Sequence, residues 1–258
     1  MPGKAFIGTS GWNYSGWKDG FFKDVPRKRW LEHCAHHFSG LEINGTFYRL
    51  QSEKTFLQWI ERTPREFVFT AKGHRFVTHN KKLLDADETV VTSRDNMRVF
   101  QKKLAVVVWQ LPARFSRDVP RLDRFVRTLT KKWRAVRHSV ELRDTSWFTD
   151  DVAEVLSAHD IAVCQSDAAG WPMWDAVTTD LVYIRLHGHT RTYASRYSSG
   201  SLDAWSRKIR CWMDEGRDVH VYFDNDSEGA APYDALRLME RLGLRDSADV
   251  DARAASAE

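Results

Sequence analysis

The segment "GLEINGTFYRL" (residues 40–50) places a carboxylate, Glu42, and an amide, Asn44, among Leu41 and Ile43. Side chains alternate along an extended chain, so Glu42 and Asn44 share one face and the two aliphatics the other. The parity recurs. "RHSVELR" (137–143) sets Ser139, Glu141 and Arg143 opposite Val140 and Leu142. "DLVYIRLHG" (180–188) groups Tyr183, Arg185 and His187, and "DVHVYFDN" (218–225) groups His220, Tyr222 and Asp224, followed by Asn225. Lys72 ends "FVFTAK" (67–72), Gln110 lies near the end of "LAVVVWQL" (104–111), and Asp167 ends "IAVCQSD" (161–167). Glu42, Glu141 and His187 have the chemistry to move protons near neutral pH. Lys72, Arg143 and Arg185 have the charge to hold a phosphate or carboxylate, arginine by a bidentate fork. Any one of these residues reads more simply as half of an ion pair. Together they do not, because desolvation offsets most of the pairing energy when many charges are buried for stability alone.

The set therefore predicts a cleft. Its expected catalytic residues are Glu42, Glu141 and His187. Its expected substrate-binding residues are Asn44, Tyr48, Lys72, Gln110, Arg143, Asp167, Arg185, Asp224 and Asn225. The loop "GWNYSGW" after the first strand-like run, "AFIGTS" (5–10), adds Trp12, Tyr14 and Trp17 as one wall.

Eight β-rich runs must position these groups: 5–10, 40–44, 67–72, 104–111, 137–143, 161–167, 180–188 and 218–225. Amphipathic stretches between them predict helices near 29–38, 52–62, 87–100, 118–132, 149–159, 201–215 and 231–242. Ser52, Thr149 and Ser201 precede helical stretches as N-caps. Only the sixth run lacks a following helix, since "AAGWPMWDAVTTD" reads as a loop. Alternating strands and helices imply a parallel sheet. Eight units favour a closed (β/α)8 TIM barrel, eight parallel strands with outer helices, and its sites lie at the C-terminal strand ends. No G-x-G-x-x-G or Walker pattern supports an open nucleotide-binding sheet. The expected organisation is one barrel domain over residues 1–243 and a polar, disordered tail over 244–258.

The composition agrees. The 258 residues are 42% hydrophobic and 29% charged, enough to build a full core. No run approaches the roughly 20 apolar residues of a membrane helix, and the opening "MPGKAFIGTS" lacks a signal-peptide pattern. Cys34, Cys164 and Cys211 lie far apart without metal spacing and read as reduced thiols. A cytoplasmic protein with no membrane partner is the expectation. A net charge of +4 permits an anionic partner without requiring one.

In order along the chain, "IGTSGWNYSGWKDGFF", "GLEINGTFYRL", "FTAKGHRFVTH", "WQLP", "VELRDTSWF", "SD", "VYIRLHG" and "VYFDND" resemble the YecE-like family of unknown function, from about residue 5 to residue 242. The resemblance implies a TIM barrel and no defined reaction. The fold so implied is similar to the barrels of endonuclease IV and xylose isomerase, an analogy of fold alone. Family members often carry two asparagines after "YF", where this chain has Asp224–Asn225, which alters the charge of the cleft.

Three chemistries compete. The favoured one is an acid–base enzyme, of hydrolase or lyase–isomerase type, acting on a small anionic substrate without a cofactor. The second is nucleic-acid binding or processing, with the basic loops "KGHRFVTHNKK" and "HGHTRTYASRYSSG" gripping backbone and Trp12, Trp17, Trp147, Trp171 and Trp174 stacking bases. The third is a divalent-metal enzyme using the H-x-H of His187 and His189 with Glu42, Glu141, Asp167 and Asp224. The cations Lys72, Arg143 and Arg185 argue against a dense metal cluster. A retaining glycosidase is disfavoured, since strands four and seven end in Gln110 and Arg185/His187. Oligomeric state is not legible.

Overall fold

The computed structural model describes residues 1–245. Its strands are β1 (Ala5–Thr9), β2 (Gly40–Ile43), β3 (Val68–Lys72), β4 (Leu104–Gln110), β5 (Arg137–Glu141), β6 (Ile161–Asp167), β7 (Leu181–Leu186) and β8 (Asp218–Phe223). The helices are α1 (Trp30–His37), α2 (Gly45–Tyr48), α3 (Glu53–Glu61), α4 (Asp87–Met97), α5 (Val119–Lys132), α6 (Asp150–Ala158), α7 (Ser199–Asp214) and α8 (Ala230–Arg241). All strand pairs are parallel, in the order β1-β8-β7-β6-β5-β4-β3-β2. A parallel bridge between Ser10 and Glu42, with Gly11 N–H donating to the Glu42 carbonyl at 2.8 Å, draws β1 to β2. This is a nearly closed (β/α)8 TIM barrel.

The β1–β2 seam depends on Gly8. A Cβ there would lie 1.9 Å from the Gly40 carbonyl oxygen, so any side chain would push the two strands apart.

Each strand shows one face to the helices and one to the barrel interior. Outward residues such as Val107, Trp109, Ile184 and Val221 join the shell packed under the helices. Inward residues fill the barrel in layers. At the N-terminal end Phe6 stacks on His220 at 4.7 Å, beside Val106, Ala162 and Leu181. Above them Thr70 Oγ1 meets the Tyr183 hydroxyl at 2.9 Å, alongside Val108, Cys164 and Tyr222. The charged residues occupy the layer nearest the C-terminal strand ends. The interior is thus a packed core capped by one polar layer.

Local chemistry sets several boundaries. Ser52 Oγ accepts the Thr55 N–H and starts α3. The start of α7 differs from expectation: Ser198 is the cap and accepts the Ser201 N–H at 3.1 Å, so Ser201 lies inside the helix. Thr149 occupies the N-cap position of α6, but its hydroxyl binds the Asp151 carboxylate instead of a backbone N–H. The helix expected over 87–100 is α only to Met97. A 3-10 segment, Arg98–Lys103, follows and contains Gln101 at φ 48°. Residues 168–180 contain no helix, as the sequence predicts. The loop after β3 contains a π-helical turn, Phe76–Asn80, a form found often at functional sites. The tail expectation falls almost wholly on residues 246–258, outside the described residues. Among the described residues no helix is long and apolar enough to cross a membrane. Cys34 and Cys164 are buried free thiols and Cys211 is an exposed one.

Candidate active site

β7 delivers Arg185 into the upper layer, where it is fully buried. Its Nη2 lies 2.7 Å from Glu42 Oε1 and 3.1 Å from Asp224 Oδ2, and its Nη1 lies 2.8 Å from Glu141 Oε2. Nη2 also donates to Ser10 Oγ at 3.1 Å. One guanidinium thus gathers carboxylates from β2, β5 and the end of β8. Parity explains the meeting: Ser166 and Arg185 are register partners, and Gln110 pairs with Glu141. Charges distant in the chain therefore arrive at one level.

Glu42 is saturated. Oε2 accepts from the Tyr183 hydroxyl at 2.7 Å, and Oε1 accepts from Ser10 Oγ and Arg185. Glu141 Oε1 accepts from Arg143 Nε at 2.7 Å and Ser166 Oγ at 3.3 Å. Burial alone would raise the Glu141 carboxyl; Arg143 and Arg185 outweigh it and hold the group well below the usual carboxylate range. Asp224 follows the same logic, with burial opposed by Arg185 and His187, and ends below its ordinary value. His187 is fully buried, with Nδ1 2.9 Å from Asp224 Oδ2 and Nε2 3.7 Å from Glu141 Oε1. Neither contact meets hydrogen-bond geometry, so the two buried ring nitrogens lie between the Asp224 and Glu141 carboxylates without an aligned partner. Trp171 packs on the His187 ring at 4.9 Å and Tyr193 meets its edge at 5.6 Å.

Two cations at this mouth remain usable. Arg143 spends Nε on Glu141 and lays its guanidinium over Trp171, 4.0 Å from the ring centroid. Lys72, ending β3, makes no ion pair among the described residues; its ammonium lies 4.5 Å from the Phe47 ring centroid. Burial, then the nearby Arg185, lowers the Lys72 amine to about 8.

The predicted residues therefore divide. Glu42, Glu141, Lys72, Arg143, Arg185, His187 and Asp224 converge. Asn44 joins them through Nδ2, which donates to Ser10 Oγ at 2.9 Å. Gln110 is inward and buried, donating to the Leu111 carbonyl at 2.7 Å. Tyr14 donates to the Ser10 carbonyl at 2.6 Å. Trp12 lines a neighbouring chamber of about 350 Å³ with Tyr14, Asn44 and Trp59.

Other residues lie elsewhere. Asp167 has the opposite parity from Arg185 and faces α7, where Trp205 Nε1 approaches its Oδ2 at 3.4 Å. Asn225 likewise turns outward, donating to Asp234 Oδ2 at 2.9 Å and to the Ser195 carbonyl. Tyr48 is 66% exposed. Trp17 is buried and donates to the Asp226 carbonyl at 3.0 Å, so it supports the wall from behind. Arg185 has every neighbour it needs inside the protein and cannot also grip a substrate by a free fork. Trp17 and Trp147 are buried and cannot stack bases, and Arg191 pairs with Glu228 at 2.6 Å. His187 and His189 diverge: His189 is exposed and sits 3.5 Å from Asp167 Oδ1. The place among Glu42, Glu141 and Asp224 that a cation would take is filled by Arg185. Among the described residues no group of three His, Cys, Asp or Glu is arranged to hold a metal ion.

Sequence reasoning overlooked Ser10, Ser166, His79 and Asp226 as site residues. Ser166 was legible from strand parity, but the charge of its neighbour Asp167 drew the assignment. His79, on the π turn, lies edge-on to Phe47 at 5.0 Å and within the fields of Lys72, Arg75 and Arg143; burial first, then Lys72, lowers its pKa. No periodicity in "FVTHN" announces that turn. Asp226 is partly buried, and burial together with Asp224 raises its carboxyl to about 6. A raised carboxyl contributes stability that is present below the unfolded value of about 3.9 and lost as pH rises through about 6. Asp226→Asn should therefore stabilise the protein by roughly 1 kcal/mol at pH 8, after discounting for solvent screening, and by nothing near pH 4. Urea denaturation at the two pH values measures the difference, and a gain of equal size at both would refute this account.

Residues 6–257 match the family model described as "Protein of unknown function DUF72". The UPF0759 protein YunF of Bacillus subtilis is 23% identical, with 93% of this chain and 95% of that protein covered. The UPF0759 protein YecE of Escherichia coli K12 is 30% identical over a stretch covering 46% of this chain and 43% of YecE. Among solved structures, a DUF72 family protein from Thermotoga maritima superposes with a TM-score of 0.84 at 24% identity, covering 93% of this chain and 99% of that one. One from Enterococcus faecalis gives 0.81 at 17% identity, covering 94% and 97%. At these identities the structural likeness shows the fold alone.

Proposed function

This chain belongs to the DUF72 family of proteins of unknown function, and on that premise we propose that it is an enzyme performing carboxylate–histidine acid–base chemistry on a small anionic substrate at the C-terminal mouth of the barrel. The observation that carries the reading is a division of labour among the cations. Arg185 is consumed by three carboxylates, whereas Arg143 and Lys72 keep donors for an anion near His187, whose ring nitrogens have no aligned hydrogen-bond partner. Charge-assisted bonds from Arg143 would orient the anionic group. His187 would exchange the proton, flanked by Glu141 and Asp224. Asp226, raised to about 6 in the loop after β8 that also carries Asp224, would be a second proton donor. Glu42, with both oxygens occupied, would position Arg185 and Tyr183 instead of reacting. Reactions of the hydrolase or lyase–isomerase type fit this equipment.

The reading is tested by thermal shift and calorimetry with phosphate, glycolate and other small anions. At least one should bind, more weakly as salt rises. Arg143→Gln should weaken that binding on the order of 10- to 100-fold, the equivalent of roughly 1.5–3 kcal/mol for a hydrogen bond to a charged group. Unchanged affinity in that variant would remove the mouth from anion recognition.

A further inference from the structure

Lys72 stands apart from the other cations of the mouth. Arg143 and Arg185 are each held by a carboxylate. Lys72 has none within 4.0 Å among the described residues, and its ammonium rests on the face of Phe47. Its backbone is fixed, since Thr46 Oγ1 donates to the Lys72 carbonyl at 2.7 Å. Glu141, Glu42, Asp224 and Arg185 all act on it electrostatically, so the side chain reaches over the charged layer. The π turn brings His79 beside it. An amine kept from carboxylates, set against an aromatic face and next to another cation is in the setting that turns lysine into a nucleophile.

We propose that Lys72 forms an imine with the carbonyl carbon of a small anionic aldehyde or 2-keto acid whose anionic group lies against Arg143. The inference rests on the anion-binding reading above for the orientation of that substrate. The Lys72 nitrogen lone pair attacks the carbonyl carbon, and the oxygen leaves as water with one proton from the amine and one from a neighbouring histidine. The product is a protonated imine, which can accept the electron pair of an adjacent C–H or C–C bond as that bond breaks. The proton of a broken C–H bond passes to the histidine that gave up its own. Burial and Arg185 supply the free amine, because they bring Lys72 to about 8 against about 10.4 for an ordinary lysine.

Glyoxylate, an anionic aldehyde small enough for any cleft, is the probe. The full chain is incubated with glyoxylate and cyanoborohydride at pH 7, and modified lysines are mapped by mass spectrometry. Reduction of the imine adds the mass of glyoxylate less one oxygen. Lys72 should be labelled at least about tenfold faster than the exposed Lys18 and Lys23, a conservative share of its larger free-amine fraction. Lys72→Arg should remove the fast-labelling site and leave the slow ones. Labelling of Lys72 no faster than of those lysines overturns the proposal. Glycolate, which has the anion but no carbonyl, separates this failure from failure of the anion reading. Protection of Lys72 by glycolate, lost in Arg143→Gln, supports the orientation. Fast labelling without protection keeps the imine and refutes the anion site, and glycolate binding without fast labelling does the reverse.

Discussion

Arg185→Met should cost about 3–5 kcal/mol of folding free energy at pH 7, the expected penalty when one partner of a buried ion pair is removed. Arg185 has no exposure and is bonded to Glu42, Glu141 and Asp224. Methionine approximates its length and leaves three carboxylates packed together without their counter-ion. The deficit should have a pH signature. In the wild type, Glu141 and Asp224 sit below their ordinary values, so their contribution is present above the unfolded pKa and is lost as pH falls toward the folded one. In the variant these carboxyls lose the guanidinium and repel each other, so their pKa values rise. Protonation then relieves the variant, and the gap from wild type should narrow between pH 7 and pH 5. Arg185→Lys, which keeps the charge but loses the fork, should fall between the two. Urea titrations across this range provide the measurement. A methionine variant as stable as wild type throughout would mean that the cluster is not built around this residue.

Trp17→Ala should cost a similar amount, about 3–5 kcal/mol, as for other buried tryptophans cut to alanine. Trp17 is 1% exposed, packs against Tyr14, Phe21 and Phe22, and donates to the Asp226 carbonyl. Its removal leaves a cavity and frees the loop that carries Asp226. Trp12→Ala, in the partly open chamber, should cost less than half as much, because little packed volume is lost. Equal effects in the two variants would contradict the assignment of Trp17 to the supporting wall.

Asp224 has a clear physical role in this setting. The carboxylate adds a third partner for Arg185 and the nearest neighbour of His187 Nδ1. With Lys72 protonated, three cations then face three carboxylates, and the mouth carries a balance that an asparagine would tip toward positive.

Much of the fold was legible because it depends on short-range repetition. Alternation along β5 and β7 marked which side chains point inward, and amphipathic spacing marked the helices. Parity alone sufficed to bring Glu42, Glu141, Arg185 and His187 to one end of the barrel. It would also have placed Ser166 and excluded Asp167, had parity been weighed above charge. Asn225 failed for the same reason, lying one residue beyond an inward Asp224.

The partnership within the cluster was not legible. The amino-acid order determined that ionisable groups collect at the C-terminal strand ends, because a period of two and a parallel sheet leave them nowhere else to point. Only the tertiary structure decided which of them remain free to react. That choice depends on distances of 2.7–3.1 Å between residues 39 to 143 positions apart, where closure of the ring sets Arg185 against three carboxylates and leaves Lys72 with none among the described residues. Electrostatic energy changes steeply over such distances in a buried site, and no local pattern in the chain encodes them.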